Sequence, residues 1–284
     1  LHKEYRRQRQ MCIRDSYYRS NAYLYENADR YDYYYRAYNT DGTIDDNNSS
    51  KVFVGEYASS DKNTLAGAVA EAAVMTGFEN NSDVVRLAAT APLFNKVLSD
   101  GAYRWTPDAI WFDNDSVWYT PNYYVQQMYM QNNGSYTLKN DVKSAEKSYQ
   151  SVSYDEKTGD VIVKLVNPYD YDVKTKINLD SSLAMTGEVT QILLTNEDKF
   201  AKNSMEQPDN VTLEETSIKL TNGGEYMLGA NSFAVLRIHT GEPTYLVNLT
   251  KLESTDGKLS YELTPETDVN IAEYDAVSYT HLRA

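Results

Sequence analysis

The sequence contains one cysteine, Cys12, and only three histidines in 284 residues. A lone cysteine excludes an internal disulfide framework and a multi-thiolate metal site, and it leaves the redox compartment undecided. Long apolar runs are missing as well: no stretch approaches the ~20 apolar residues that a membrane-spanning helix needs. Positive charge is scarce, with 27 Lys and Arg against 41 Asp and Glu and a formal net charge of −14. A surface of that sign repels phosphate backbones, which argues against nucleic acid as a partner. The basic cluster Lys3, Arg6, Arg7 and Arg9 lies at the extreme N-terminus.

Tyrosine is what the chain has in excess: 26 Tyr against 6 Phe and 3 Trp. A tyrosine ring pairs a flat apolar face with a polar tip, which suits half-buried strands and wet, sugar-lined clefts alike. Ordinary packing accounts for most of these rings.

Both ends look foreign to the rest. Residues 1–15 (LHKEYRRQRQMCIRD) have neither helical nor strand periodicity, and residues 277–284 end the chain as abruptly. Both resemble translated adaptor remnants and are set aside from fold reasoning, as a tag would be. On that reading the open reading frame is truncated at both ends, Cys12 and His281 carry no functional meaning, and the lack of a secretory signal is uninformative.

Between these ends the pattern changes once. Val52, Phe53 and Val54 form a continuous apolar run, as expected of a strand buried on both faces, with Gly55 and Glu56 at its C-terminal end. An Ala-rich helix is expected over roughly Lys62–Thr76, with Gly77 as its stop. A second helix is expected behind Ser82 as N-cap, bent or broken at Pro92. Ala109–Phe112 reads as another buried strand. A helix then begins with Thr120 as N-cap and Pro121 in its first turn. Alternating strands and helices signal parallel βα units.

From about Gly134 onward short alternating runs take over: Asp160–Val166, Tyr171–Ile177, Val189–Leu194, Ser217–Leu220 and Ser232–Ile238. They carry the pattern of an antiparallel sandwich. The fold class is therefore α/β plus all-β: the tail of a parallel α/β domain over residues 16–133, then an antiparallel β-sandwich over 134–240. Residues 241–276 read as a linker with a hairpin around Asp256-Gly257, or the start of a further module.

In parallel α/β barrels, residues at the C-terminal ends of strands face the active site. Glu56 holds such a position, beside a glycine that lets a substrate approach. Position alone favours reading it as an ion-paired or loop-facing carboxylate, and the surrounding motifs change that. KVFVGEYAS, AEAAVMTGFENNSDVVRLAATAPLF, RWTPDAIWF and TPNYYVQQMY resemble, in order and spacing, the second half of the catalytic barrel of glycoside hydrolase family 51. YYRS and NADRYD extend the resemblance upstream, and SFAVLRIHT closes it downstream, so it covers about Tyr17 to Thr240.

The family consists mainly of retaining α-L-arabinofuranosidases, and the resemblance implies the C-terminal part of a (β/α)8 TIM barrel over residues 16–133 followed by a jelly-roll-like antiparallel β-sandwich. The resemblance implies that Glu56 is the nucleophile, that Tyr18 hydrogen-bonds beside it with Tyr17 as its neighbour, and that Gln126 binds the arabinose ring. Ser16 stands where the family has a histidine, at the junction with the foreign segment. Trp105 and Trp111 could wall the cleft or pack in the interior. Asp113 and Asp115 suggest calcium by composition, but solvated Asp/Asn loops are far commoner, and no metal and no cofactor is expected.

The family's acid/base lies in an Asn-Glu pair on an earlier strand. Before Glu56 this chain offers only Glu4 and Glu26, neither at a strand end. The expected partner is an arabinose-containing oligo- or polysaccharide, with no nucleic acid and no membrane span; the resemblance also implies a homo-oligomer for the full-length parent. A secreted or cell-envelope bacterial enzyme is favoured. The competing readings are a related retaining glycosidase, such as a β-xylanase or endoglucanase, and a non-catalytic carbohydrate-binding β-sandwich.

Overall fold

The computed structural model describes residues 12–144, 146–179, 185–240, 247–255 and 258–265. Its first part contains β1 (Cys12–Arg19), α1 (Asn21–Glu26), the short β2 (Ala37–Tyr38) and β3 (Ile44–Asp45), β4 (Lys51–Ser59), α2 (Leu65–Asn80) and β5 (Val85–Thr90). β4 lies between β1 and β5, parallel to both. Parallel neighbours need a crossover between them, and α2 supplies it from β4 to β5. β1 starts at Cys12, inside the segment whose sequence shows no strand periodicity, because its backbone pairs with Lys51–Val54.

α2 is Ala-rich, and 13 of its 16 residues are buried, so it has no solvent face to make it amphipathic. The Thr64 hydroxyl caps its start by accepting from Gly67 N at 3.1 Å. Gly77 does not stop it, contrary to expectation; the helix continues to Asn80. The glycine is there for close approach, since a Cβ on it would fall 1.7 Å from the Ala28 carbonyl oxygen.

The helix expected behind Ser82 is also corrected: Val85–Thr90 is a strand. Val84 O accepts from Val52 N at 2.8 Å, and Val85 pairs with Val52 along the edge of β4. The edge supplies backbone partners that outweigh the alanine content of the segment. A small separate sheet follows, with β6 (Phe94–Lys96), β7 (Ile110–Phe112) and β8 (Val117–Tyr119). The expected buried strand at Ala109–Phe112 is therefore a half-buried one outside the main parallel sheet. α3 (Pro121–Gln131) begins as expected, with the Thr120 hydroxyl accepting from Tyr123 N at 3.2 Å.

Beyond α3 all pairing among the described residues is antiparallel. β9 (Tyr136–Thr137), β10 (Tyr149–Asp155), β11 (Asp160–Asn167), β12 (Val173–Ile177), β13 (Glu188–Leu194), β14 (Leu213–Lys219), β15 (Gly224–Leu228) and β16 (Ser232–His239) follow in order. Six of them form one sheet in the order β14-β13-β16-β11-β10-β9, while β12 and β15 pair separately. Val161, Val163 and Leu165 of β11 and Ala234, Leu236 and Ile238 of β16 pack with Ile177, Tyr226 and Leu228 of the smaller sheet. The alternate residues Ile162, Val166, Phe233 and Val235 join the core around α2 and α3. Central strands covered on both faces read as largely apolar runs, and β11 and β16 do so apart from Lys164 and Arg237. β17 (Val247–Thr255) and β18 (Lys258–Pro265) pair as the expected hairpin, whose turn residues Asp256 and Gly257 lie outside the described residues.

One charged residue interrupts the helix-facing side of β11. Lys164 is fully buried; its Nζ donates to Glu79 Oε1 and to the Asn132 carbonyl, both at 2.7 Å, and lies over the Tyr129 ring. Ser151 Oγ donates to the other Glu79 oxygen. Burial pushes the Lys164 amine down from its ordinary value, and the Glu79 charge pulls it back. Replacing Lys164 by Met should therefore cost about 3–5 kcal/mol in urea unfolding, because Glu79 loses its counter-charge. Lys164→Met combined with Glu79→Gln should recover most of that loss. A single-variant loss below about 1 kcal/mol would contradict this role.

Candidate active site

Gly55 has no partner in either neighbouring strand. The register runs from Asp15↔Val54 directly to Ser16↔Glu56 on one side, and from Val54↔Ala88 to Tyr57↔Thr90 on the other. A bulge of this kind re-aims the side chains that follow it. Beyond it, Glu56 and Ala58 share one face of β4 with Ser16 and Tyr18 of β1, and Tyr57 and Tyr17 share the opposite face.

On the first face the Tyr18 hydroxyl donates to Glu56 Oε2 at 3.2 Å. Tyr18 is 41% exposed, so this pair is open to solvent. Its phenol is nevertheless pushed up to about 12, first by partial burial, then by the Glu56 charge and the hydrogen bond to it, with Asp108 adding to the shift. Tyr18 therefore stays protonated across ordinary pH and remains a donor. Among the described residues no lysine or arginine forms an ion pair with Glu56. Its carboxylate is oriented by a neutral donor, which leaves its charge available as a nucleophile or electrostatic partner.

The opposite face is interior. Tyr17 and Tyr57 are buried with ring centroids 6.5 Å apart, and Tyr57 meets Phe78 edge-on at 5.3 Å. Burial drives the Tyr57 phenol well up, and its hydroxyl donates to Gln126 Oε1 at 3.0 Å. Gln126 Nε2 contacts Met75 Sδ at 3.3 Å. The structure thus brings Glu56 and Tyr18 together, and sets Tyr17 and Gln126 on the helix side of the sheet, where Gln126 satisfies a buried hydroxyl. Trp105 is exposed, and its indole helps hold the Asp108 carboxyl down. Trp111 stacks on Trp118 and donates to the Asp108 carbonyl at 3.1 Å. Asp113 caps its own turn, accepting from Asp115 N at 2.8 Å and Ser116 N at 2.7 Å. Glu26 is exposed at the end of α1, and Glu4 lies outside the described residues.

Two carboxyl groups behind this face were not singled out by sequence. Asp108 is buried, accepts from Asn95 Nδ2 at 2.8 Å, and is raised by burial while Asn95 and Trp105 pull it back. Glu71 is buried in α2, and its Oε1 accepts from Ser59 N, the last residue of β4, at 2.7 Å. Burial lifts the Glu71 carboxyl to about 7, against the opposing pull of the Ser59 N–H and the Asn122 amide. One signal for it was available: Glu71 is the only charged residue from Leu65 to Phe78.

The chain belongs to the alpha-L-arabinofuranosidase C-terminal domain family, whose sequence profile matches residues 38–232, and so to the C-terminal region of glycoside hydrolase family 51. It is 40% identical over 122 residues to the extracellular exo-alpha-L-arabinofuranosidase of Streptomyces chartreusis, covering 43% of this chain and 13% of that protein. It is 36% identical over 196 residues to alpha-L-arabinofuranosidase A of Aspergillus niger, covering 67% of this chain and 30% of that one. Among solved structures, the arabinose-bound MgGH51 α-L-arabinofuranosidase superposes with a TM-score of 0.71 at 25% identity, over 81% of this chain and 37% of that one. The chain thus spans less than a third of the length of these two curated relatives.

The raised Glu71 carboxyl makes a pH prediction. Its folded pKa, about 7, lies above the ordinary 4.5, so the folded state holds the proton more tightly. Its contribution to stability is fully present below about pH 4.5 and is lost as pH rises to about 7. Relative to wild type, Glu71→Gln should therefore gain about 3 kcal/mol between pH 4.5 and 8 in chemical denaturation. Parallel stability–pH curves for the two proteins would contradict the assignment.

Proposed function

We propose that this chain is the C-terminal part of a retaining, exo-acting α-L-arabinofuranosidase that releases terminal non-reducing α-L-arabinofuranosyl residues from hemicellulose or pectin side chains. β1, β4 and β5 with α2 then form part of a (β/α)8 barrel spanning residues 16–133, and residues 134–240 form its β-sandwich. The observation that carries this reading is the Tyr18–Glu56 hydrogen bond at the C-terminal end of the central parallel strand. Glu56 is the nucleophile: it attacks the anomeric carbon while the bond to the leaving oxygen breaks, forming a glycosyl ester that water then hydrolyses. Tyr18 holds the attacking oxygens in line and stays neutral throughout.

A retaining mechanism also needs a protonated carboxyl about 5–5.5 Å from the nucleophile to donate to the leaving group and then activate water. Glu26 lies at the end of α1, where its carbonyl accepts from Lys147, and Asp108 has one oxygen engaged by Asn95. The acid/base belongs to a part of the parent that this chain does not carry. Consistent with a piece of a barrel, β1 and β5 each pair on one side only among the described residues, and Leu87 on β5 is 57% exposed. Open strand edges of this kind invite association.

The purified 284-residue chain should show no turnover of p-nitrophenyl α-L-arabinofuranoside and should aggregate readily. The full-length parent should hydrolyse it, and Glu56→Ala in the parent should lower kcat by at least about 10³-fold. Turnover by the chain alone, or a loss below about tenfold in the variant, would overturn the respective half of the reading. The parent is expected to need no cofactor.

A further inference from the structure

We propose that a single buried water molecule is a built component of this protein, bound between Glu71, Asp108 and Asn122. These three residues line one small cavity of about 10 Å³, together with Ala58, Asn63 and Pro107. That space matches the ~10–15 Å³ needed to admit one water.

Each of the three side chains has one polar atom in a direct hydrogen bond and one that makes none, and the Asn122 amide and Trp105 indole come near enough to Glu71 and Asp108 to pull on their carboxyls without closing such a bond. Glu71 Oε1 accepts from Ser59 N, and Oε2 has no partner. Asp108 Oδ2 accepts from Asn95 Nδ2, and Oδ1 has none. Asn122 Oδ1 accepts from Asn63 Nδ2 at 3.2 Å, and Nδ2 has none. All three residues are at least nine-tenths buried. Buried polar groups left unpaired are costly, so three of them on one polar cavity call for a ligand.

The amide orientations decide which ligand. The Asp108 backbone N–H donates to Asn63 Oδ1 at 3.1 Å, which fixes the Asn63 amide. Its Nδ2 must then donate to Asn122 Oδ1, and the Asn122 NH₂ group is left as the donor. A water satisfies the set completely: it accepts from Asn122 and donates one hydrogen each to Glu71 and Asp108. Three bonds are the usual complement of a buried water. A metal cation would face the Asn122 NH₂ and would find far fewer than the ~6 oxygen ligands it prefers.

The water would join the last residue of β4, α2, the first turn of α3 and the segment before β7. That segment carries Asp108, whose charge reaches Tyr18.

A crystal structure of the full-length parent tests the site directly. The expected result is one density peak about 2.7–3.2 Å from Glu71 Oε2, Asp108 Oδ1 and Asn122 Nδ2. No density, a direct Glu71–Asn122 bond that closes the cavity, or contacts near 2.4 Å typical of calcium would each overturn it. Asn122→Asp gives an independent reading in solution. It keeps the acceptor for Asn63 but replaces the donor by a third acceptor, and a water can donate only twice. Its melting temperature at pH 8 should fall by about 3–6 °C, with no recovery in added sodium or calcium chloride. Stabilisation of the variant above wild type by either cation would mark a cation site instead.

Discussion

Burying an ammonium group among apolar side chains costs several kcal/mol unless a counter-charge and further hydrogen-bond acceptors meet it there. Lys164 occupies such a position on the helix-facing side of β11, and Glu79, the Asn132 carbonyl and the Tyr129 ring meet it. Glu79 is near the C-terminal end of α2, and Asn132 closes α3. One ion pair therefore fixes the antiparallel sheet against both helices, and α2 in turn lies behind β4. The height and rotation of α2 set where Glu71 can hold the backbone of Ser59, at the end of the strand that carries Glu56. The polar pairing at the sheet–helix junction and the geometry of the strand end are thus links in one chain of contacts.

The strand end itself works by division of faces. The bulge at Gly55 precedes alternating side chains, so that Glu56 turns to the open side with Tyr18 while Tyr57 turns to the interior with Tyr17 and Phe78. The interior face is dense with rings and has a single glutamine, Gln126, to satisfy the Tyr57 hydroxyl. The open face has few neighbours and a neutral donor. A neutral phenol orients the carboxylate without a cationic partner competing with a reacting carbon for it. This contrast supports the proposed division into one reacting side chain and a supporting wall behind it.

Much of this was legible in the residues. The apolar run Val52–Val54 gave β4, Thr120-Pro121 gave the start of α3, and the alternating segments from Asp160 onward gave the antiparallel strands within a few positions. What failed did so for tertiary reasons. Val85–Thr90 has a helix-compatible composition, and only the open edge of β4 makes it a strand. Gly77 looks like a helix stop, but it is required by the Ala28 carbonyl pressed against it. The contact between the Tyr57 hydroxyl and the Gln126 amide oxygen is likewise one that no spacing along the sequence reveals. Glu71 and Asp108 escaped notice because their roles arise from burial, although a lone acid in an alanine helix was a visible clue.

The account turns on Glu56 acting as the attacking carboxylate. Its most direct test is to treat the full-length parent with an arabinofuranosyl compound that has a good leaving group and a slowed deglycosylation step, then locate the label by peptide mass spectrometry. The account predicts a stable increase of one glycosyl unit on the peptide containing Glu56. A label on a different carboxylate, or turnover without any covalent intermediate, would contradict it.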